Sequence, residues 1–291
     1  MASPHKIALN STTTFNTPVV ESIDVAKRAG FAGVELQDPW VDPYLAAGGT
    51  VEDLLAALDG FPVAGVGALQ EDEPDRFAAQ ARRLAEIAAG LGATQMQMCT
   101  GPVDVAVVED FVAGTLRQGD PRYRGAVGRP ERDALAMTTK NVQVAADIAA
   151  EFGLDVYLEP LAWAPLNSLR HGLQVVEAAG RPNVGVTIDF WHCFYAGDTP
   201  DDVARVDPAL IKAVHVCDSK PFPPGVVPNQ AVYRDVPTGG GVVPLQEWVD
   251  AVKATGYDGW YATEIFCRKT ARLDPLLVAT TMRGQVEILV S

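Results

Sequence analysis

The sequence is poor in cysteine and histidine, short of positive charge, and without a long hydrophobic run. Each shortage excludes something. Four cysteines occur in 291 residues. Cys99, Cys193, Cys217 and Cys267 lie apart with no Cys-x-x-Cys pair, so no disulfide framework is read and no thiolate ligation is assigned. Lys and Arg total 23 against 37 Asp and Glu, a net charge of −14. That surface repels phosphate backbones, so no nucleic-acid partner is expected. No apolar run approaches the ~18 residues of a membrane span. The start, Met1-Ala-Ser-Pro-His-Lys6, lacks the apolar core and cleavage site of a signal peptide. A cytoplasmic location and no membrane partner are the expectations.

What the chain does have is alternation. Short β-branched or apolar runs precede longer, Ala-rich stretches of helical period. Strands are expected at 6–10, 33–37, 62–68, 93–99, 155–160, 184–189, 211–216 and 260–266. Helices are expected between them, with Pro18–Ala29 stopping at Gly30 and Thr50–Leu58 opening on a hydroxyl N-cap and acidic residues. A long Gly- and Pro-containing stretch, 100–130, reads as an active-site rim with a short helix near Val103–Thr115. Eight strands, each followed by helical sequence, predict an α/β fold: one (β/α)8 TIM barrel over residues 1–291. A doubly wound open sheet is the alternative, weakened because no glycine-rich phosphate loop follows the first strand.

Such barrels carry their chemistry at the C-terminal ends of the strands. Strand five ends at Glu159, strand six at Asp189, strand seven around His215 and Asp218, and strand eight at Glu264. One acidic residue in such a place is as readily a helix cap. Four on consecutive strands is the donor set of a divalent cation, with positions left for substrate or water.

The motifs Gly30-Phe-Ala-Gly-Val-Glu-Leu36, Leu158-Glu-Pro160, Thr187-Ile-Asp-Phe-Trp-His192, Val214-His-Val-Cys-Asp218 and Gly256-Tyr-Asp-Gly-Trp-Tyr-Ala-Thr-Glu-Ile-Phe266 carry a resemblance. The chain resembles, along essentially its whole length, the xylose isomerase-like barrels, the superfamily of sugar phosphate isomerases/epimerases that includes D-tagatose 3-epimerase, hydroxypyruvate isomerase and inosose dehydratase. The resemblance implies that Glu159, Asp189, His215 and Glu264 bind one divalent cation (Mn, Mg, Co or Zn). It implies that Glu159 and Glu264 also move protons, as catalytic residues facing each other across a sugar. It matches His192 to a histidine that touches a substrate oxygen, and Arg234 to an arginine before a glycine-rich turn. Relatives often carry Pro-Gly-Glu-Gly at that turn, where this chain has Pro237-Thr-Gly-Gly-Gly241.

Other positions are read with a bland alternative beside each. Trp163, Trp191 and Phe266 follow the ligand strands and could meet a sugar's C–H face or merely pack. Gln37 and Gln97 could bind hydroxyls, as could Glu35, or be rim polarity. Lys220 could contact a substrate oxygen or be a solvated loop lysine. The expected partner is a small sugar or cyclic polyol, and a homo-oligomer is compatible with the chain. The expected activity is metal-dependent isomerisation or epimerisation of a keto-sugar or keto-polyol through an enediolate. The alternative is a lyase: dehydration of inosose or 3-dehydroshikimate type, or 3-keto-glycoside cleavage. A multi-metal repair endonuclease is opposed by the histidine count and the charge, and a non-catalytic barrel by the four retained donors.

Overall fold

The structure, a computed structural model, describes residues 6–72, 74–117, 120, 122 and 126–291. His5 and part of the long stretch after strand four lie outside the described residues.

In chain order the elements are β1 Lys6–Asn10, α1 Val19–Ala29, β2 Gly33–Gln37, α2 Asp38–Ala46, α3 Val51–Leu58, β3 Val63–Gln70, α4 Pro74–Gly90 and β4 Gln95–Cys99. Then come α5 Val105–Val112, α6 Glu131–Glu151, β5 Asp155–Glu159, α7 Leu169–Ala179, β6 Val184–Asp189, α8 Phe190–Ala196 and α9 Pro200–Val203. The chain ends with β7 Ile211–Val216, α10 Gln230–Tyr233, α11 Leu245–Thr255, β8 Trp260–Thr263 and α12 Pro275–Val290. The strands pair in parallel in sequence order, and β8 closes on β1 through Lys6 opposite Trp260 and Leu9 opposite Thr263. The barrel expected from the alternation is therefore the fold.

Local chemistry sets the ends of its elements. Gly30 stops α1 at φ 81°, a left-handed backbone that an L side chain resists. Thr50 and Asp53 form a reciprocal capping box at the start of α3. The helix expected near Val103–Thr115 forms as Val105–Val112, capped by Asp104. The strand expected to run to Phe266 leaves the ladder after Thr263, where Ile265 N–H turns to the Thr12 hydroxyl.

Outward residues of the strands, such as Val34, Leu36, Met96, Met98 and Leu158, join one continuous core with the inner faces of the helices. Inward residues line the barrel. Its floor is small, with Ala8, Ala64 and Ala262 in contact beside Trp260. Above that floor, beyond the register shift at Ala64, the inward positions of β3 are Gly65 and Gly67. A Cβ at Gly65 would meet the Tyr157 ring, and one at Gly67 would meet Gln97 and Gln37. These two glycines make room for the polar side chains that fill the upper barrel. Among the described residues, no helix is long and apolar enough to cross a membrane.

Candidate functional site

A strand alternates its side chains with period two, so Glu35 and Gln37 of β2 share one face, as do Tyr157 and Glu159 of β5. These faces look inward, and register brings the ends of the strands level. Asp189 of β6 is opposite His215 of β7, and Cys99 of β4 is opposite Glu159. Glu264 stands one residue beyond β8.

The result is a buried cluster at the top of the barrel. Glu159, Asp189, His215 and Glu264 each offer one donor atom, and these atoms all lie within 4.8 Å of one another. His215 sits at the centre. Its Nδ1 is 3.1 Å from Glu159 Oε1, 3.3 Å from Glu264 Oε2 and 3.6 Å from Asp189 Oδ2. Its Nε2 points the other way, 3.1 Å from Glu35 Oε2. Glu35 is in turn held by the Tyr157 hydroxyl at 2.7 Å and Asn10 Nδ2 at 2.7 Å. Arg234 enters from the long loop after β7. Its Nη2 donates to Glu264 at 2.6 Å and to Asp189 at 3.2 Å. The guanidinium lies over the rings of Phe266 (4.6 Å) and Trp191 (5.3 Å). Arg234 is therefore buried, although it stands in a loop.

Four carboxylates gathered around two cations perturb one another. Burial pushes the Glu159 carboxyl up, reinforced by the nearby Glu264 charge, to about 7. Burial opposes a charged imidazole at His215, but Glu35, Glu264 and Glu159 outweigh it and hold the ring protonated well above its ordinary range. Burial also works against ionised Asp189, yet the Arg234 guanidinium holds it well below the usual carboxylate range. Three carboxylates and one imidazole converging in a dry pocket fit a single divalent cation, because a cation relieves the repulsion that burial magnifies. The thiols of Cys217 and Cys99 donate towards Asp189 (3.3 Å) and Glu159 (3.5 Å). Burial raises both thiols well above their ordinary range, so they remain S–H donors.

A cavity of about 260 Å³ opens above the cluster. Glu159 and Glu264 line it together with His192, Arg234, Trp163, Gln37 and Gln97, whereas Asp189 and His215 lie behind them. Gln37 donates to Gln97 at 2.9 Å, and Gln97 to Glu159 at 2.8 Å, a relay that orients the Glu159 carboxylate. The Ala162 N–H donates to His192 Nδ1 at 2.9 Å. That bond requires a lone pair on Nδ1 and so places the imidazole proton on Nε2. Burial and the neighbouring Arg234 charge lower the His192 pKa to about 3, keeping a neutral N–H donor.

Lys220 is not brought to this cavity. Its Nζ pairs with Asp235 at 3.1 Å and is part exposed. Asp218 holds the Pro237–Gly241 turn in place. Its carboxylate accepts from the N–H groups of Gly239, Gly241 and Val243 at 2.8 to 3.1 Å, fixing the loop that carries Arg234. Reading the sequence missed Phe15 and Trp40 as cavity walls and Glu35 as the partner of His215. The available signal for Glu35 was its shared face with Gln37.

The fold and the buried acid–histidine centre define a class of α/β-barrel proteins, and comparison with known proteins names it. The chain belongs to the family of xylose isomerase-like TIM barrels, which it matches over residues 23–283. It is 28% identical over 272 residues to a Streptomyces coelicolor protein provisionally named hydroxypyruvate isomerase, covering 85% of each chain. It is 29% identical over 122 residues to the inosose isomerase of Halalkalibacterium halodurans, a match that spans 41% of this chain and 42% of that protein. Among solved structures, the IOLI protein with a bound zinc atom superposes with a TM-score of 0.81 at 17% identity, covering 98% of both chains.

Proposed function

We propose that this barrel is a divalent-cation-dependent isomerase or epimerase of keto-sugars or keto-polyols. One observation carries the reading: Glu159, Asp189, His215 and Glu264, from four successive strands, converge on one buried point beneath a cavity. The isomerase names of the two relatives support the reaction class, and the zinc atom in the IOLI structure supports a metal in a barrel of this fold. Mn, Mg, Co and Zn all suit an oxygen-rich donor set with one imidazole.

When bound, the cation supplies Lewis acidity, stabilising negative charge on a carbonyl oxygen as the adjacent carbon loses a proton. The chain's own groups do the rest. Asp189 and His215, hidden behind the cavity wall, serve as anchors. Glu159 and Glu264 line the cavity from strands three apart in an eight-strand ring, so they reach a central ligand from different sides. One removes a proton and the other returns one, which moves a carbonyl or inverts a centre. Gln97 aims Glu159, and Arg234 aims Glu264. His192 donates Nε2–H to a substrate oxygen.

The test is exchange in D2O with metal-loaded protein and a panel of keto-sugars and keto-inositols. Deuterium entering recovered sugar without loss of water is the expected result. An enone absorbance instead assigns the shared first step to a dehydrating lyase. Absence of both across the panel overturns the reading.

A further inference from the structure

The cavity has two different halves. Its floor is polar and buried: Glu159, Glu264, Gln37, Gln97 and His192. Its mouth is apolar, walled by Phe15, Pro39, Trp40, Val103, Trp163 and Phe266. The polar handles of the two tryptophans are already used on backbone. Trp40 Nε1 donates to Phe15 O at 2.9 Å, and Trp163 Nε1 to Pro102 O at 2.7 Å. Neither ring therefore has a hydrogen bond to offer a hydroxyl, and what remains is ring surface. Phe15 and Trp40 meet edge to face at 5.2 Å, yet Phe15 stays 47% exposed. Solvent-facing aromatic surface beside a catalytic floor is apolar area left to be covered. Charge at the mouth points the same way. Among the described lining residues Arg234 is the one cation, and its Nη2 is held by Glu264 and Asp189.

From these two halves the geometry points to a substrate class: an unphosphorylated keto-glycoside whose sugar sits on the polar floor and whose apolar, ring-bearing aglycone lies between Phe15–Trp40 and Trp163–Phe266. This rests on the isomerase reading for the chemistry at the sugar, but the aglycone subsite is set by the aromatic wall alone. An aryl ring stacks on such walls through its faces and edges. A sugar phosphate finds no free cation there among the described residues.

Unreactive glycosides separate the two questions. The probes are phenyl β-D-glucoside, methyl β-D-glucoside and glucose 6-phosphate, titrated calorimetrically into the metal-loaded full chain. Phenyl glucoside is expected to bind at least about ten-fold more tightly than methyl glucoside, as burial of one aromatic ring implies. Trp40→Ala should bring the ratio towards one. Phe15→Ala, at an exposed ring, repeats the test if the first variant folds poorly. Equal binding of the two glucosides, or tightest binding of the phosphate, overturns the inference. A phenyl preference in protein that exchanges no deuterium with any keto-sugar leaves the subsite standing and removes the reaction. Exchange with small keto-polyols without a phenyl preference does the reverse.

Discussion

Glu35 and His215, 180 residues apart in the chain, face each other across the barrel with the carboxylate 3.1 Å from Nε2. The contact leaves Nδ1 turned towards Glu159, Glu264 and Asp189. A carboxylate behind a ligand imidazole fixes its orientation and raises its basicity. Glu35→Gln keeps the shape and removes the charge. We expect the variant to bind Mn or Zn about 10- to 100-fold more weakly, measured by equilibrium dialysis of the metal-stripped protein. Unchanged affinity would show that His215 needs no such support.

Gly65 protects the same contact from the side. A Cβ there runs into the Tyr157 ring, whose hydroxyl donates to Glu35 at 2.7 Å. Gly65→Ala should cost about 1–3 kcal/mol of stability through overpacking, read as a lower midpoint in thermal unfolding. Metal affinity should fall with it. A variant that melts with the parent and binds metal as well would mean that Tyr157 gives way freely.

These two residues also mark how far the sequence could be read. Glu159, Asp189 and Glu264 stand out in the sequence because a carboxylate ending an apolar strand is costly unless something uses it. The order of elements gives the barrel for the same reason: periodicity is local. Glu35 offers only its shared face with Gln37, which reads as hydroxyl binding or rim polarity. It lies within β2, and only the closed ring reveals that β2 and β7 look at one another. Arg234 is hidden differently. A loop arginine beside an aspartate reads as surface, and its burial depends on Asp218 gathering the backbone of the Gly239–Gly241 turn. Phe15 and Trp40 sit outside the strands, and their pairing is set by a backbone hydrogen bond that no pattern announces.

Glu264 lines the cavity and takes the 2.6 Å bond from Arg234. Glu264→Gln retains a hydrogen-bond acceptor for that arginine but loses both a charge on the cluster and a proton acceptor. Turnover in the exchange assay should fall by at least about 100-fold, and prolonged chelation of the parent protein should abolish it reversibly. Full turnover in protein shown by elemental analysis to be metal-free would sink the mechanism.

Asp38 opens α2 at the rim of the cavity, and its Oδ1 is buried with no hydrogen-bond partner among the described residues. Burial raises the carboxyl, and Asp42 adds repulsion that Arg83 only partly offsets, so its pKa moves from 3.8 to about 7. The folded state therefore holds this proton more tightly than the unfolded chain. Stability falls as pH rises from about 4 to about 7 and then levels off. Asp38→Asn has no proton to lose. It should exceed the parent by about 1–2 kcal/mol at pH 8, and the gap should narrow steadily towards pH 4. That figure is below the full linkage energy because the side chain reaches solvent in part and the variant loses a negative charge at a helix start. Denaturant unfolding of both proteins across this pH range checks it. A gap independent of pH would mean that Asp38 is ionised throughout and that its neighbours, not its burial, set its charge.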